Sequence, residues 1–334
     1  MAKIGYLGLG AWGYCLASLL AAKGDDEVVC WTTKPHLAEH LTRTREHPLL
    51  PGHRSIGKMR FTNDMKQALE DAAIIVESVT SAGLRPVLEQ VRSLGVPLCP
   101  MIITSKGIEQ DTGNILPEVA IEVLGEEFRP FVGFLSGPSF AQEVIRGLPT
   151  SVVGTGFSLD IIQTVCETFT TPTFRIYPNT DILGVAFGGA LKNIIAIACG
   201  ISDGLGLGSS SKAALMTRGL HEIRKLSVAC GCKPDTINGL AGMGDLCLTC
   251  SSSMSRNFRF GTLLAQGLSA KEAQERIGMV VEGAYTCVSA LQLKEQYRVE
   301  LPIADVVYQI IYESLTPANA VKILMQRTIK EEHL

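Results

Sequence analysis

No excess of basic charge marks this chain: 30 lysines and arginines stand against 33 acidic residues, a net charge of −3 with the two signs mixed along the length. Nothing in that balance supplies the electrostatic footprint of a nucleic-acid binder. Histidine is scarce beside cysteine. The two close pairs, Cys230 with Cys232 and Cys247 with Cys250, have no histidine within several residues, so neither builds a closed zinc site and no metal is expected. Cys15, Cys30, Cys166 and Cys199 lie in apolar stretches, where a reduced thiol behaves as a small hydrophobe. The opening MAKIGYLG runs directly into a strand, without the charged and apolar regions of a signal peptide, and a cytoplasmic protein is expected.

Long hydrophobic runs are absent with one exception, the 20 residues Ile182–Ile201 (ILGVAFGGALKNIIAIACGI). Its length and its Gly184-xxx-Gly188 spacing would suit a membrane helix. The run, however, carries Lys192 and Asn193 at mid-span, and a lysine there costs about 2.5–3.5 kcal/mol on insertion scales; no membrane span is expected. The residue could instead be a core lysine that snorkels outward. Desolvation penalises the charged form of a lysine and lowers its pKa toward neutrality, and such a group can take and return protons.

The chain has room for two domains. Through residue 178, β-rich runs at Lys3–Leu7, Val28–Trp31, Arg60–Thr62, Ala73–Ser78, Met101–Thr104, Phe131–Leu135, Thr150–Gly154 and Phe174–Pro178 alternate with helical stretches. Unbroken apolar strands such as AAIIVESV suit a sheet covered on both faces. The expected fold is α/β, with a Rossmann-like doubly wound sheet over residues 1–178 as a dinucleotide-binding domain. Residues 179–334 carry helical periodicity and almost no strand, which predicts an all-helical C-terminal, substrate-binding domain. Gly204–Gly208 and Gly239–Gly244 read as loops near a ligand.

Directly after the first strand stands Gly8-Leu9-Gly10-Ala11-Trp12-Gly13. In a strand–turn–helix context the first glycine permits the turn, the second lets backbone approach a pyrophosphate, and the third lets helix pack on strand. The second strand ends in Trp31-Thr32-Thr33-Lys34, with hydroxyls and a cation where NAD-specific sites place a carboxylate. The cofactor is therefore expected to be NAD or NADP, with NADP tolerated or preferred. Lys106, in SKGIE after a strand, could meet an anionic or carbonyl oxygen, or simply be exposed. In LSGPSFAQEV, Gly137 and Ser139 offer an amide and a hydroxyl at a helix start, where Ser139 could equally be an N-cap. Asp245, beside three glycines, could orient an ammonium or a hydroxyl, or cap a helix. Ser255, Arg256 and Asn257 combine a planar bidentate donor with neutral donors and fit a phosphate.

Taken in order, GxGxWG, SKGIE, LSGPSFAQEV, GGALKN, GLAGMGDLCLTC, SRNFRFG and VVEG closely resemble the bacterial-type NAD(P)-dependent glycerol-3-phosphate dehydrogenases over essentially the whole length. The resemblance implies reversible reduction of dihydroxyacetone phosphate to sn-glycerol 3-phosphate by NAD(P)H, supplying phospholipid synthesis. It assigns proton transfer to Lys192, with Lys106, Asp245 and Asn193 assisting. Substrate contacts are implied for Lys106, Gly137, Ser139, Lys192, Asp245, Ser255, Arg256 and Asn257. Cofactor contacts are implied for Gly8, Gly10, Ala11, Trp12, Gly13, Thr33, Lys34, Lys106, Ala141, Arg256, Val280 and Glu282. The partner is then a small phosphate substrate, and a homodimer is compatible with it. Departures include Ala11, the Thr32-Thr33-Lys34 run, Phe258, and Gly208-Ser209-Ser210-Ser211-Lys212 where the family commonly has GDNAK. The competing expectations are another two-domain hydroxy-acid dehydrogenase and a non-catalytic dinucleotide sensor.

Overall fold

The computed structural model describes residues 2–24, 26–95, 98–329 and 331–332. The chain divides into two compact units, Met1–Ser105 with Leu116–Ile182, and Lys106–Ile115 with Leu183–Leu334. In place of one boundary after residue 178, the chain passes into the second unit for ten residues, 106–115, before returning to the first. Periodicity does not report such an excursion, because the segment carries neither a helix nor a strand.

The first unit is one sheet of eight strands, β1 (Lys3–Leu7), β2 (Glu27–Trp31), β3 (Met59–Thr62), β4 (Ile74–Glu77), β5 (Met101–Ile103), β6 (Val132–Ser136), β7 (Thr150–Gly156) and β8 (Phe174–Asn179). Their order is β3-β2-β1-β4-β5-β6-β7-β8. Neighbours are parallel except β6 and β7, which pair antiparallel. This is a Rossmann-like, doubly wound α/β sheet, and the strands lie where the β-rich runs place them. Tyr6, Val28, Ile75 and Ile102 are fully buried, which is why these strands read as unbroken apolar runs rather than alternating ones. The chain winds outward through β2 and β3, then returns to lay β4 on the other edge of β1. That reversal makes a crevice at the carboxyl ends of β1 and β4, the place where such sheets take ligands.

The second unit is helical: Ile182–Gly204, Gly208–Ala229, Asp245–Ser251, Arg256–Ala265, Ala270–Ile277, Glu282–Tyr297, Pro302–Tyr312 and Pro317–Met325 are its principal helices. The apolar run is its core helix; Val185, Ala190, Ala196, Ile197 and Cys199 are fully buried. Gly188 serves close packing inside the protein, since a Cβ there would lie 2.9 Å from the Ala241 carbonyl oxygen. Gly239–Gly244 is not the open loop expected. Leu240–Gly244 forms a wide helical turn leading into the helix that begins at Asp245. The Ile108–Ile115 bridge closes the 106–115 segment, and Ser289 Oγ donates to the Ile108 carbonyl at 3.1 Å.

Candidate active site

In the helical unit two lysines converge on one carboxylate. Lys192, midway along the core helix, donates to Asp245 Oδ1, and Lys106 donates to Asp245 Oδ2 at 2.6 Å. The Asp245 side chain is 1% exposed and that of Lys192 8%. Asp245 is therefore an acceptor between two cations; its place at the start of a helix is secondary. Lys192 also donates to Thr249 Oγ1 at 2.8 Å, and that hydroxyl donates to the Asp245 carbonyl at 2.6 Å. Burial pushes the Lys192 pKa down to about 8, with Asp245 pulling it up and Lys106 pushing it further down. The snorkelling alternative fails because the ammonium ends on buried partners.

Immediately beside this cluster a second network begins at Asn193. Its Oδ1 accepts from Asn257 Nδ2 at 2.8 Å, and Asn257 Oδ1 accepts from the Gly283 amide at 2.9 Å. Asn257 thus ties the core helix to the start of the Glu282–Tyr297 helix as well as standing in the expected phosphate motif. Ser255 Oγ accepts from the Phe258 amide at 3.2 Å and caps the Arg256–Ala265 helix. Exposed Arg256 donates to the Val280 carbonyl at 3.1 Å; desolvation of its guanidinium lowers its pKa, and the nearby Glu282 charge opposes that shift. Arg256, Val280 and Glu282 therefore group together, as do Lys106, Lys192, Asn193, Asp245 and Asn257 through the two networks.

In the sheet unit, Gly8–Gly13 turns from β1 into the Ala11–Lys23 helix. Gly8 has φ +102°, and a Cβ there would lie 2.7 Å from the Ser78 carbonyl; one on Gly13 would lie 2.0 Å from the Gly8 carbonyl. A Cβ on Gly10 would meet nothing within 4 Å, so that backbone is open to an approaching group. The helix starts at Gly10 with no side-chain cap. The Trp12 Nε1–H is buried without a partner among the described residues. Uncapped amides, open backbone and an orphaned donor fit a dinucleotide pyrophosphate and ribose. Thr33 and Lys34 are exposed after β2. Gly137 (φ +147°) and Ser139 follow β6. Ser139 donates to the Gly137 carbonyl at 3.1 Å and does not cap the Ala141–Val144 helix, whose N-cap is Phe140. The Ala141 carbonyl accepts from Cys15 Sγ at 3.4 Å, joining it to the glycine-turn helix.

Thr249 and Glu77 were not singled out in the sequence. Thr249 carries a signal, since it stands four residues after Asp245 on one helix face. Glu77, at the end of β4 and fully buried, accepts from the Val79 amide and from Ser105 Oγ at 2.6 Å; no local pattern announces it.

A doubly wound sheet with a glycine turn at its switch point, joined to a helical unit holding a buried Lys–Asp–Lys cluster, defines a two-unit nicotinamide-dependent oxidoreductase. Residues 3–156 match the family model for the N-terminus of NAD-dependent glycerol-3-phosphate dehydrogenase, and residues 181–322 match that for its C-terminus. The chain belongs to the NAD-dependent glycerol-3-phosphate dehydrogenase family. It is 77% identical to glycerol-3-phosphate dehydrogenase (NAD(P)+) of Protochlamydia amoebophila over 334 residues, all of both chains. It is 54% identical to the Chlamydia pneumoniae enzyme of that name, over 99% of each chain. The crystal structure of glycerol-3-phosphate dehydrogenase from Coxiella burnetii is 36% identical and superposes with a TM-score of 0.92, covering 98% of this chain and 99% of that one.

Proposed function

We propose that this chain catalyses the reversible reduction of dihydroxyacetone phosphate to sn-glycerol 3-phosphate with NAD(P)H. The observation that carries the chemistry is the Lys192–Asp245–Lys106 cluster. When bound, the nicotinamide cofactor supplies the hydride in reduction and accepts it in oxidation. Lys192 protonates the oxygen that becomes the alcohol and takes the proton back in the reverse direction. Asp245 holds the Lys192 and Lys106 ammoniums in place and balances one of their two charges, leaving the cluster net positive toward a developing alkoxide. Asn193 is oriented by Asn257, and Lys106 adds the second cation.

Arg256, Ser255 and Asn257 hold the phosphate end, with Gly137 and Ser139 also touching substrate. Fixing the phosphate aligns the carbonyl, an orientation effect that lowers the barrier without new chemistry. Gly8, Gly10, Ala11, Trp12, Gly13, Ala141, Val280 and Glu282 serve the cofactor. Thr33 and Lys34 leave room for a 2′-phosphate, so NADPH is used as well as NADH. The identity to named glycerol-3-phosphate dehydrogenases supports this reading over a hydroxy-acid dehydrogenase or a sensor. The setting is the cytoplasm and the product feeds phospholipid synthesis; a homodimer is compatible with the reading.

The test is the loss of near-ultraviolet absorbance of NADH and, separately, NADPH with dihydroxyacetone phosphate and with a 2-keto acid. Rapid oxidation with the phosphate alone supports the proposal. Preference for the keto acid, or cofactor binding without turnover, contradicts it.

A further inference from the structure

Residues 45–55 fold back from the Pro35–Thr44 helix onto the start of the Ala11–Lys23 helix. Tyr14, fully buried, is the anchor: its hydroxyl donates to the Arg45 carbonyl at 2.5 Å and accepts from the Ser55 amide at 2.9 Å. Against its ring, 5.3 Å between centroids, lies His47, itself 3% exposed. The two ring nitrogens of His47 face different partners. Nδ1 lies 3.1 Å from the Leu49 amide and Nε2 lies 3.1 Å from the Leu9 carbonyl. An amide only donates, so Nδ1 accepts; Nε2 then carries the proton and donates to Leu9. The protein itself fixes the tautomer. Burial holds the imidazole pKa below its ordinary value, the Leu9 carbonyl opposing and His40 and Lys34 pushing the same way as burial, which keeps this neutral form in place at neutral pH.

Leu9 stands between Gly8 and Gly10. In a trans peptide the carbonyl and the following N–H point in opposite directions, so holding the Leu9 carbonyl against the imidazole turns the Gly10 N–H to the other side. We propose that His47 is a positioning residue of the glycine turn: by holding the Leu9–Gly10 peptide plane it presents the Gly10 amide to the cofactor pyrophosphate, and cofactor affinity depends on it although it makes no contact with the cofactor itself. The inference rests on the reading of Gly8–Gly13 as the dinucleotide turn. The imidazole reaches the turn across 38 residues of sequence, from a loop with no motif of its own.

The test compares H47L, which keeps the bulk and loses the donor, with H47Q, whose amide can donate to Leu9. Dissociation constants for NADH are measured by fluorescence, together with melting temperature, kcat and both Michaelis constants. The expected result is NADH affinity about tenfold weaker in H47L, the scale of one hydrogen bond, with kcat at saturating cofactor and the Michaelis constant for dihydroxyacetone phosphate little changed. H47Q should recover to within about threefold of the unmodified protein. H47L binding NADH as tightly as the unmodified protein, or H47Q binding as weakly as a folded H47L, overturns the proposal. Where H47L does not fold, H47M, which also keeps bulk and lacks the donor, takes its place: NADH affinity about tenfold weaker supports the proposal, and affinity equal to that of the unmodified protein overturns it. If the unmodified protein binds neither NADH nor NADPH, the dinucleotide reading fails and takes the proposal with it; normal binding with an indifferent H47L defeats the proposal alone.

Discussion

Lys192 and Asp245 form a buried ion pair whose carboxylate is shared with a second ammonium, that of Lys106. Two cations on one anion leave a net positive charge in a site that excludes most water. A ground-state ketone has little use for that charge, whereas an alkoxide does, so in the proposed reaction the arrangement would favour the transition state of hydride transfer.

The first prediction concerns pH. Lys192 is pushed down to about 8, and in the proposed role it would serve ketone reduction in its protonated form and alcohol oxidation in its neutral form. The reduction kcat should therefore fall as pH rises through about 8 and the oxidation kcat should rise over the same interval. Rate profiles in both directions check this; limbs of the same sign would remove Lys192 from the proton transfer.

Replacing the shared carboxylate should be costly. Asp245→Asn leaves two ammoniums facing each other, one of them buried, and breaking a buried pair costs about 3–5 kcal/mol. Denaturant unfolding should show that loss. The basic limb of the reduction profile should also move to lower pH, because the group that favours the Lys192 ammonium is gone.

Thr249→Val tests the neutral partner. The hydroxyl accepts from Lys192 at 2.8 Å, and valine keeps the shape without the acceptor. The variant should stay folded and lose about tenfold in kcat, with the reduction limb shifted to lower pH; an unchanged profile would make Thr249 purely structural.

Asn257→Ala removes the link between Asn193 and the Gly283 amide and leaves both without that partner. A loss of about 2–4 kcal/mol in stability is expected from two buried bonds. Asn257→Asp should keep the Gly283 bond and lose the donation to Asn193. It should therefore spare much of the stability and still lower kcat.

These contacts mark how far the sequence was legible. The strands were readable because burial on both faces writes unbroken apolar runs, as in β4. Lys192 stood out because a cation in an otherwise apolar helix demands a partner. The identity of that partner is readable only as a glycine-flanked carboxylate, and the Gly239–Gly244 turn reads as a loop because glycine hides helical periodicity. Ser139 reads as a possible N-cap and Ser255 as a phosphate donor, yet it is Ser255 that caps a helix and Ser139 that does not. The Glu77 carboxylate, the passage of residues 106–115 into the helical unit and the reach of His47 to Leu9 depend on tertiary neighbours that no local pattern encodes.

The most direct measurement is the turnover of Lys192→Ala with NADH and dihydroxyacetone phosphate, taken alongside its NADH dissociation constant. The account predicts affinity within about twofold of the unmodified protein and turnover lower by at least about a hundredfold, the scale of lost general acid–base catalysis. Turnover within about tenfold at unchanged affinity would contradict it.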